Sequence, residues 1–236
     1  MHRIALDVDP IAVVRNMLGK KEPDPLSAII LAELGGAESI VCYLRDDAKT
    51  VSDRDVQLFR QVVKTHLNVK SNINEENIRK LIRMKVDMIT FVAPGAVNSK
   101  AAAPLNVENY ATQLQNYIAE LRSNNILSSI LIEPEIGEVK AAGKLEFDYV
   151  ELDASALTTS EDMQEELSAL ENFSSMALAA NKLGMGVNIS GGIGYENVRE
   201  VAALDFIEDI IIGEPVLIKS LYIGFEQALR DLQALI

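Results

Sequence analysis

His66-Leu-Asn-Val-Lys-Ser-Asn-Ile73 places a lysine, Lys70, inside a run that otherwise reads as a β-strand. Side chains of a strand alternate between its two faces, so Asn68, Lys70 and Asn72 share one face and Val69 and Ser71 the other. A charged residue within a buried strand needs a partner or a task. Several other short apolar runs also carry polar residues on one parity near their ends. A closed parallel barrel is the simplest architecture that makes those ends converge.

Working outward from Lys70, strand-like and helix-like segments alternate. Towards the N-terminus, residues 3–9 set Ile4, Leu6 and Val8 against Ala5, Asp7 and Asp9, with Pro10 expected to stop the strand. A loop through Gly19 and Pro23-Asp-Pro25 then leads into a helix-period segment, 26–34, closed by Gly35-Gly36. Residues 39–44 read as the second strand, and Ser52-Asp-Arg-Asp55 as an N-cap with an acidic first turn, opening a helix to about residue 65. Past Lys70, Asn74-Glu-Glu caps a helix to residue 85, followed by a strand at 88–92, a long loop at 93–104 and a helix at 106–122. A strand at 129–132, a short helix at 135–142 and a strand at 147–153 come next. A polar loop at 154–160 leads to a long helix at 161–183, then a strand at 186–190, the turn Gly191-Gly-Ile-Gly194 and a helix at 195–203. The last strand, 207–212, ends at Gly213-Glu-Pro215, and one helix at 216–235 closes the chain. Eight strand–helix units fit an α/β fold of the (β/α)8 barrel type, a TIM barrel, better than a doubly wound sheet, and one domain is expected over 1–236.

The chain has 236 residues, 48% of them hydrophobic, enough for one well-buried core. Its net charge of -13 argues against a general attraction to nucleic acid or to anionic membrane, and leaves a small molecule as the expected partner. The single cysteine, Cys42, can form no intrachain disulfide and reads as a buried strand residue. No run approaches the length of a membrane span, and the first residues lack the apolar core of a signal peptide, so a soluble cytoplasmic protein is expected. His2 and His66 both sit where strands begin. Chemistry at the opposite, C-terminal ends would fall to carboxylates, lysine or tyrosine.

At those ends the inward parity collects Asp7, Asp9, Tyr43, Arg45, Lys70, Asn72, Glu151, Asp153, Asn188 and Ser190. Lys70 admits two readings. As a Schiff-base nucleophile it needs a neutral amine, which Arg45 would favour and the surrounding acids oppose; as an ammonium it pairs with those acids or grips an anion. Glu151 and Asp153, two apart on one strand, suit a general base and a charge stabiliser, or an ion-pair network with Lys70 and Arg45. A magnesium reading of Asp7, Asp9, Glu151 and Asp153 is weakened by the two cations in the same mouth, and neither metal nor cofactor is expected. Gly191 and Gly192 after strand seven and Gly213 after strand eight occupy positions where barrels bind phosphate through backbone N–H groups, though glycines also serve plain turns. Glu214 beside the second of these would repel phosphate, and Lys219 would compensate only in part.

Asp9-Pro-Ile-Ala-Val-Val-Arg-Asn16, Pro23-Asp-Pro25, Tyr43-Leu-Arg-Asp-Asp47, Ser52-Asp-Arg-Asp55, Val187-Asn188 with Gly192, and Gly213 together resemble the pyridoxine 5′-phosphate synthases. These vitamin B6 pathway barrels condense 1-deoxyxylulose 5-phosphate with 3-amino-2-oxopropyl phosphate. The resemblance runs from the first strand to the last helix and implies a (β/α)8 barrel that assembles as a homo-oligomer, with helices 106–122 and 161–183 as candidate interfaces. Matching site positions are Asp9, Arg45, Glu151, Asn188, Gly192 and Gly213. The departures fall on reactive positions. Tyr43, Thr50, Gly191, Glu214 and Pro10 stand where the resemblance implies histidines, Lys70 where it implies a glutamate, Leu18 an arginine and Asp7 an asparagine. The expectation is a barrel that binds a small carbonyl or phosphorylated substrate, its chemistry altered or weakened, with Lys70, Glu151 and Tyr43 as catalytic groups and Arg45 as anion clamp. The alternative is a non-catalytic paralogue acting as an oligomeric or ligand-sensing module.

Overall fold

Apolar runs with period-two alternation become the parallel strands of a closed barrel in the computed structural model, which describes residues 2–47, 49–93, 102–159 and 163–236. Its strands are β1 (Arg3–Asp7), β2 (Ser39–Tyr43), β3 (Leu67–Ser71), β4 (Met88–Phe91), β5 (Leu127–Ile132), β6 (Tyr149–Asp153), β7 (Gly186–Ser190) and β8 (Ile207–Ile212). Each pairs with the next, and β8 closes on β1 through Ala5 beside Ile211. This is the (β/α)8 architecture read from the alternation. Every crossover carries helix: α1 (Asp9–Leu18) and α2 (Pro25–Gly35), α3 (Asp53–Val62), α4 (Glu75–Met84), α5 (Ala111–Ser123), α6 (Ile136–Lys144), α7 (Ala156–Thr159) and α8 (Met163–Lys182), and α9 (Val198–Ala202). After β8 come α10 (Glu214–Ile223) and α11 (Phe225–Gln233).

The main core lies between strands and helices. The outward parity supplies Ile4, Leu6, Ile40, Val69 and Phe91, all wholly buried against the helical ring. Inside the barrel the filling is different. Ala5, Val41 and Ile211 form a small apolar layer of their own, and the other inward positions include Asn68, Lys70, Thr90, Glu151 and Asn188, all buried. Barrels usually fill this space with branched apolar residues, so a polar interior marks the place where function rather than packing sets residue choice.

Several boundaries differ from the sequence reading, each for a local reason. Residues 9–18 form α1 rather than a loop: Pro10 lies in its first turn, where a missing N–H costs nothing, so proline starts this helix as it ends the strand. The final helix is two, because Gly224 at φ +83° breaks it. A 3-10 turn, Glu108–Tyr110, precedes α5, and one helical turn, α7, occupies part of the expected 154–160 loop. Most of the 93–104 loop and the first residues of the 161–183 helix lie outside the described residues. Ser52 caps α3 through a reciprocal capping box with Asp55, and Asn74 caps α4, as their spacing implies. Among the described residues, no helix is long and apolar enough to cross a membrane.

Candidate functional site

Register brings the polar inward residues to one level. Tyr43 lies beside Lys70, Glu151 beside Asn188 and Asp153 beside Ser190. Across the barrel axis, Lys70 Nζ donates to Glu151 Oε1 at 2.5 Å, and Ser190 Oγ donates to the same oxygen. Lys70 is 5% exposed and Glu151 wholly buried, so this pair is formed out of water. Burial opposes the lysine's charge, but the carboxylates of Glu151 and Asp7 outweigh it and hold the ammonium above the ordinary lysine range. Lys70 is therefore a cation at neutral pH. The other Glu151 oxygen, Oε2, is buried with no hydrogen-bond partner.

The end of β1 supplies a second carboxylate pair. Asp9 N donates to Asp7 Oδ1 at 2.9 Å, and Tyr43 N donates to Asp9 Oδ1 at 3.1 Å, which fixes both acids against β2. Burial raises the Asp7 carboxyl in spite of Lys70. Burial, and then the charge of Asp7, raise Asp9 well above the ordinary carboxylate range. Two acids this close in a desolvated mouth resist ionising together.

The β2 loop is braced by residues that carried the sequence motifs. Arg15 grips Asp55 with two 2.8 Å hydrogen bonds, Asn16 donates to the Thr50 carbonyl at 2.8 Å, and Thr50 Oγ1 donates to the Tyr43 carbonyl at 2.6 Å. Arg45 stacks on the Tyr43 ring at 5.5 Å and chelates Asp47 with two 2.9 Å bonds. Burial raises the Tyr43 phenol, which suits it to donate a proton in a hydrogen bond rather than to act as a base.

Residues 4–236 match the family model described as pyridoxal phosphate biosynthesis protein PdxJ. The chain belongs to that family. It is 33% identical over 236 residues to the pyridoxine 5′-phosphate synthase of Geotalea daltonii and 34% identical to that of Geotalea uraniireducens, covering 100% of this chain and 99% of each relative. Among solved structures, the thiamine phosphate pyrophosphorylase of Pyrococcus furiosus superposes with a TM-score of 0.65 at 14% identity, covering 99% of this chain and 94% of that one. At that identity the likeness concerns the fold alone.

In this barrel the site read from the sequence separates into groups. Lys70, Glu151 and Ser190 meet directly, Asp7 and Asp9 adjoin them, and Tyr43 and Arg45 line the β2 side. Glu151 and Asp153 share a face but bind different partners: Asp153 Oδ1 accepts from Ser155 N at 3.2 Å and Oγ at 2.6 Å. Asn188 lies deeper, its Oδ1 accepting from Asp209 N at 3.3 Å and its Nδ2 buried without a partner. Gly191 and Gly192 take positive φ, +88° and +65°, and a Cβ on Gly191 would stand 2.5 Å from Asp153 Oδ1. Gly213 admits the backbone of β1: its Cβ would lie 2.8 Å from the Asp7 carbonyl oxygen. Glu214 is the exposed first residue of α10. Lys219 is turned to Asp231 at 3.1 Å and lies over the Tyr195 ring, so it does not offset Glu214 as expected. Both histidines stay at the barrel's opposite end, where burial lowers His66. Glu133 was missed. It follows β5 on the inward parity of Ser129 and Leu131, and burial and the Asp153 charge raise its carboxyl. That parity, carried one residue past the strand end, would have found it.

Proposed function

We propose that this chain is a pyridoxine 5′-phosphate synthase-like condensing barrel that binds a small carbonyl or phosphorylated compound at the C-terminal mouth, with the family's chemistry altered at the replaced positions. The observation that carries this reading is the buried Lys70–Glu151–Ser190 contact on the barrel axis, with two strained acids beside it. Lys70, as an ammonium, is suited to stabilise negative charge developing on a carbonyl oxygen, not to attack the carbonyl. Glu151 Oε2, which lacks a donor, is the candidate base, and the neutral Tyr43 phenol a second hydrogen-bond donor. Arg45 must share its guanidinium with Asp47 to clamp an anion. Assembly as a homo-oligomer and a cytoplasmic location belong to the same proposal, on the strength of the family.

The non-catalytic reading has one observation in its favour: Lys70 and Glu151 already satisfy each other. Incubation of the purified protein with the two family substrates, followed by mass spectrometry, separates the two. The enzyme reading expects pyridoxine 5′-phosphate or another condensed product, lost in Glu151→Gln. Folded protein that leaves both substrates unchanged would contradict it and favour a binding role.

A further inference from the structure

The loop after β2 sends its charged side chains in two directions. Arg45 and Asp47 chelate each other beside the Tyr43 ring, and the Arg45 charge reaches Asp9, so this pair lies on the mouth side. Asp46, between them in sequence, turns instead to the segment that follows β3. Its Oδ2 accepts from Asn72 Nδ2 at 2.7 Å, and its Oδ1 from Asn74 Nδ2 at 2.9 Å and Asn77 Nδ2 at 2.8 Å. Bonds to an ionised acceptor are stronger than neutral ones, and here three asparagines converge on one carboxylate. They come from just past β3, from the cap of α4 and from its first turn.

Each asparagine is held independently of Asp46 or depends on it. Asn74 commits its Oδ1 to the N–H groups of Glu76 and Asn77, at 2.9 and 3.4 Å, so its amide nitrogen is already oriented where Asp46 meets it. Asn77 is only 6% exposed, and Asp46 supplies the acceptor for its buried amide. Asn72 lies two residues after Lys70, so Asp46 ties the Arg45 loop to the strand that carries the lysine. We propose that Asp46 is a positioning residue: pegged by Asn72, Asn74 and Asn77, it holds the backbone from which Arg45 reaches an anion in the mouth. The role rests on Arg45 being an anion clamp. An arginine fork recognises an oxyanion through a fixed geometry, so a backbone free to turn loses affinity even with the guanidinium intact.

The test follows the Arg45 Nε–H signal of the full chain by NMR, assigned through Arg45→Lys, while inorganic phosphate is added. Wild-type protein should give a saturable shift. Asp46→Ala should weaken phosphate by ~10-fold or more with the circular dichroism unchanged. Removing a negative charge would by itself strengthen anion binding, so weakening reads position and not charge. In an Arg45→Ala background the same change, read by calorimetry, should weaken phosphate by less than ~2-fold, because a positioning residue acts through the group it positions. Asp46→Asn keeps an oxygen acceptor without the charge; it should weaken phosphate less than Asp46→Ala does, and it carries the test if the alanine variant does not fold. Wild-type or tighter affinity in both Asp46 variants would overturn the proposal and leave the clamp standing. So would an equal loss from Asp46→Ala with and without Arg45. An Arg45 signal that phosphate leaves unmoved in the wild type would remove the clamp and, with it, the role of Asp46.

Discussion

Lys70 and the acids around it pull stability and function in opposite directions. Removing one member of a buried ion pair leaves an uncompensated charge, so Lys70 and Glu151 depend on each other. Asp7 and Asp9 are different: each raises the cost of ionising its neighbour or the site, and the fold bears that cost. Their folded carboxyls titrate above their unfolded values. The protonated forms therefore favour the fold below the ordinary carboxylate range, and that contribution is lost as pH rises through the raised folded values. Asp9→Asn should accordingly stabilise the protein at neutral pH, on the order of 1 kcal/mol, with the gain vanishing near about pH 4. Urea unfolding at both pH values checks this, and a destabilised variant at neutral pH would show that the acid pair is not under strain. Lys70, Glu151 and the two aspartates were legible in the sequence because strand parity assigns a face. Their partners were not, since parity says nothing about which residue lies opposite across a barrel. Glu151, three strands from Lys70 in chain order, is the example.

At the level of elements, the junction of β1, α1 and β8 sets the shape of the mouth. Gly213 lets the end of β8 approach the Asp7 carbonyl and the Pro10 ring, so the backbone that presents both acids packs against a position without a side chain. Gly213→Ala should cost about 1–3 kcal/mol through overpacking and shift Asp7. Thermal denaturation reads the cost; an alanine variant with wild-type stability would contradict the close approach. The eight strands could be read from alternation, because a half-polar strand imposes period two on its sequence. α1 could not, because Pro10 signals a stop and a start equally well, and only the chain's three-dimensional path decides which.

For the whole molecule, exposed apolar surface is unevenly spread. α10 exposes Leu221 and Tyr222 at 75% and 82%, and α1, which packs beside it, exposes Met17 at 75%. α5, one of the two helices first expected to form an interface, exposes no large apolar side chain, whereas α8 exposes Met163 and Leu167. Exposed apolar side chains on two packed helices suit an association site. If the chain assembles as its family implies, Leu221→Glu with Tyr222→Glu should shift light scattering to the monomer mass without unfolding the barrel; an unchanged mass would place the interface elsewhere. The mouth, by contrast, turns on one charge, because every role assigned to it requires Lys70 to be an ammonium held by Glu151. Isotope-edited NMR of the Lys70 side chain across a pH series measures that charge directly. The account predicts that wild-type Lys70 titrates above the ordinary lysine range, and lower in Glu151→Gln. Titration of wild-type Lys70 well below the ordinary lysine range would contradict it and make the lysine a nucleophile.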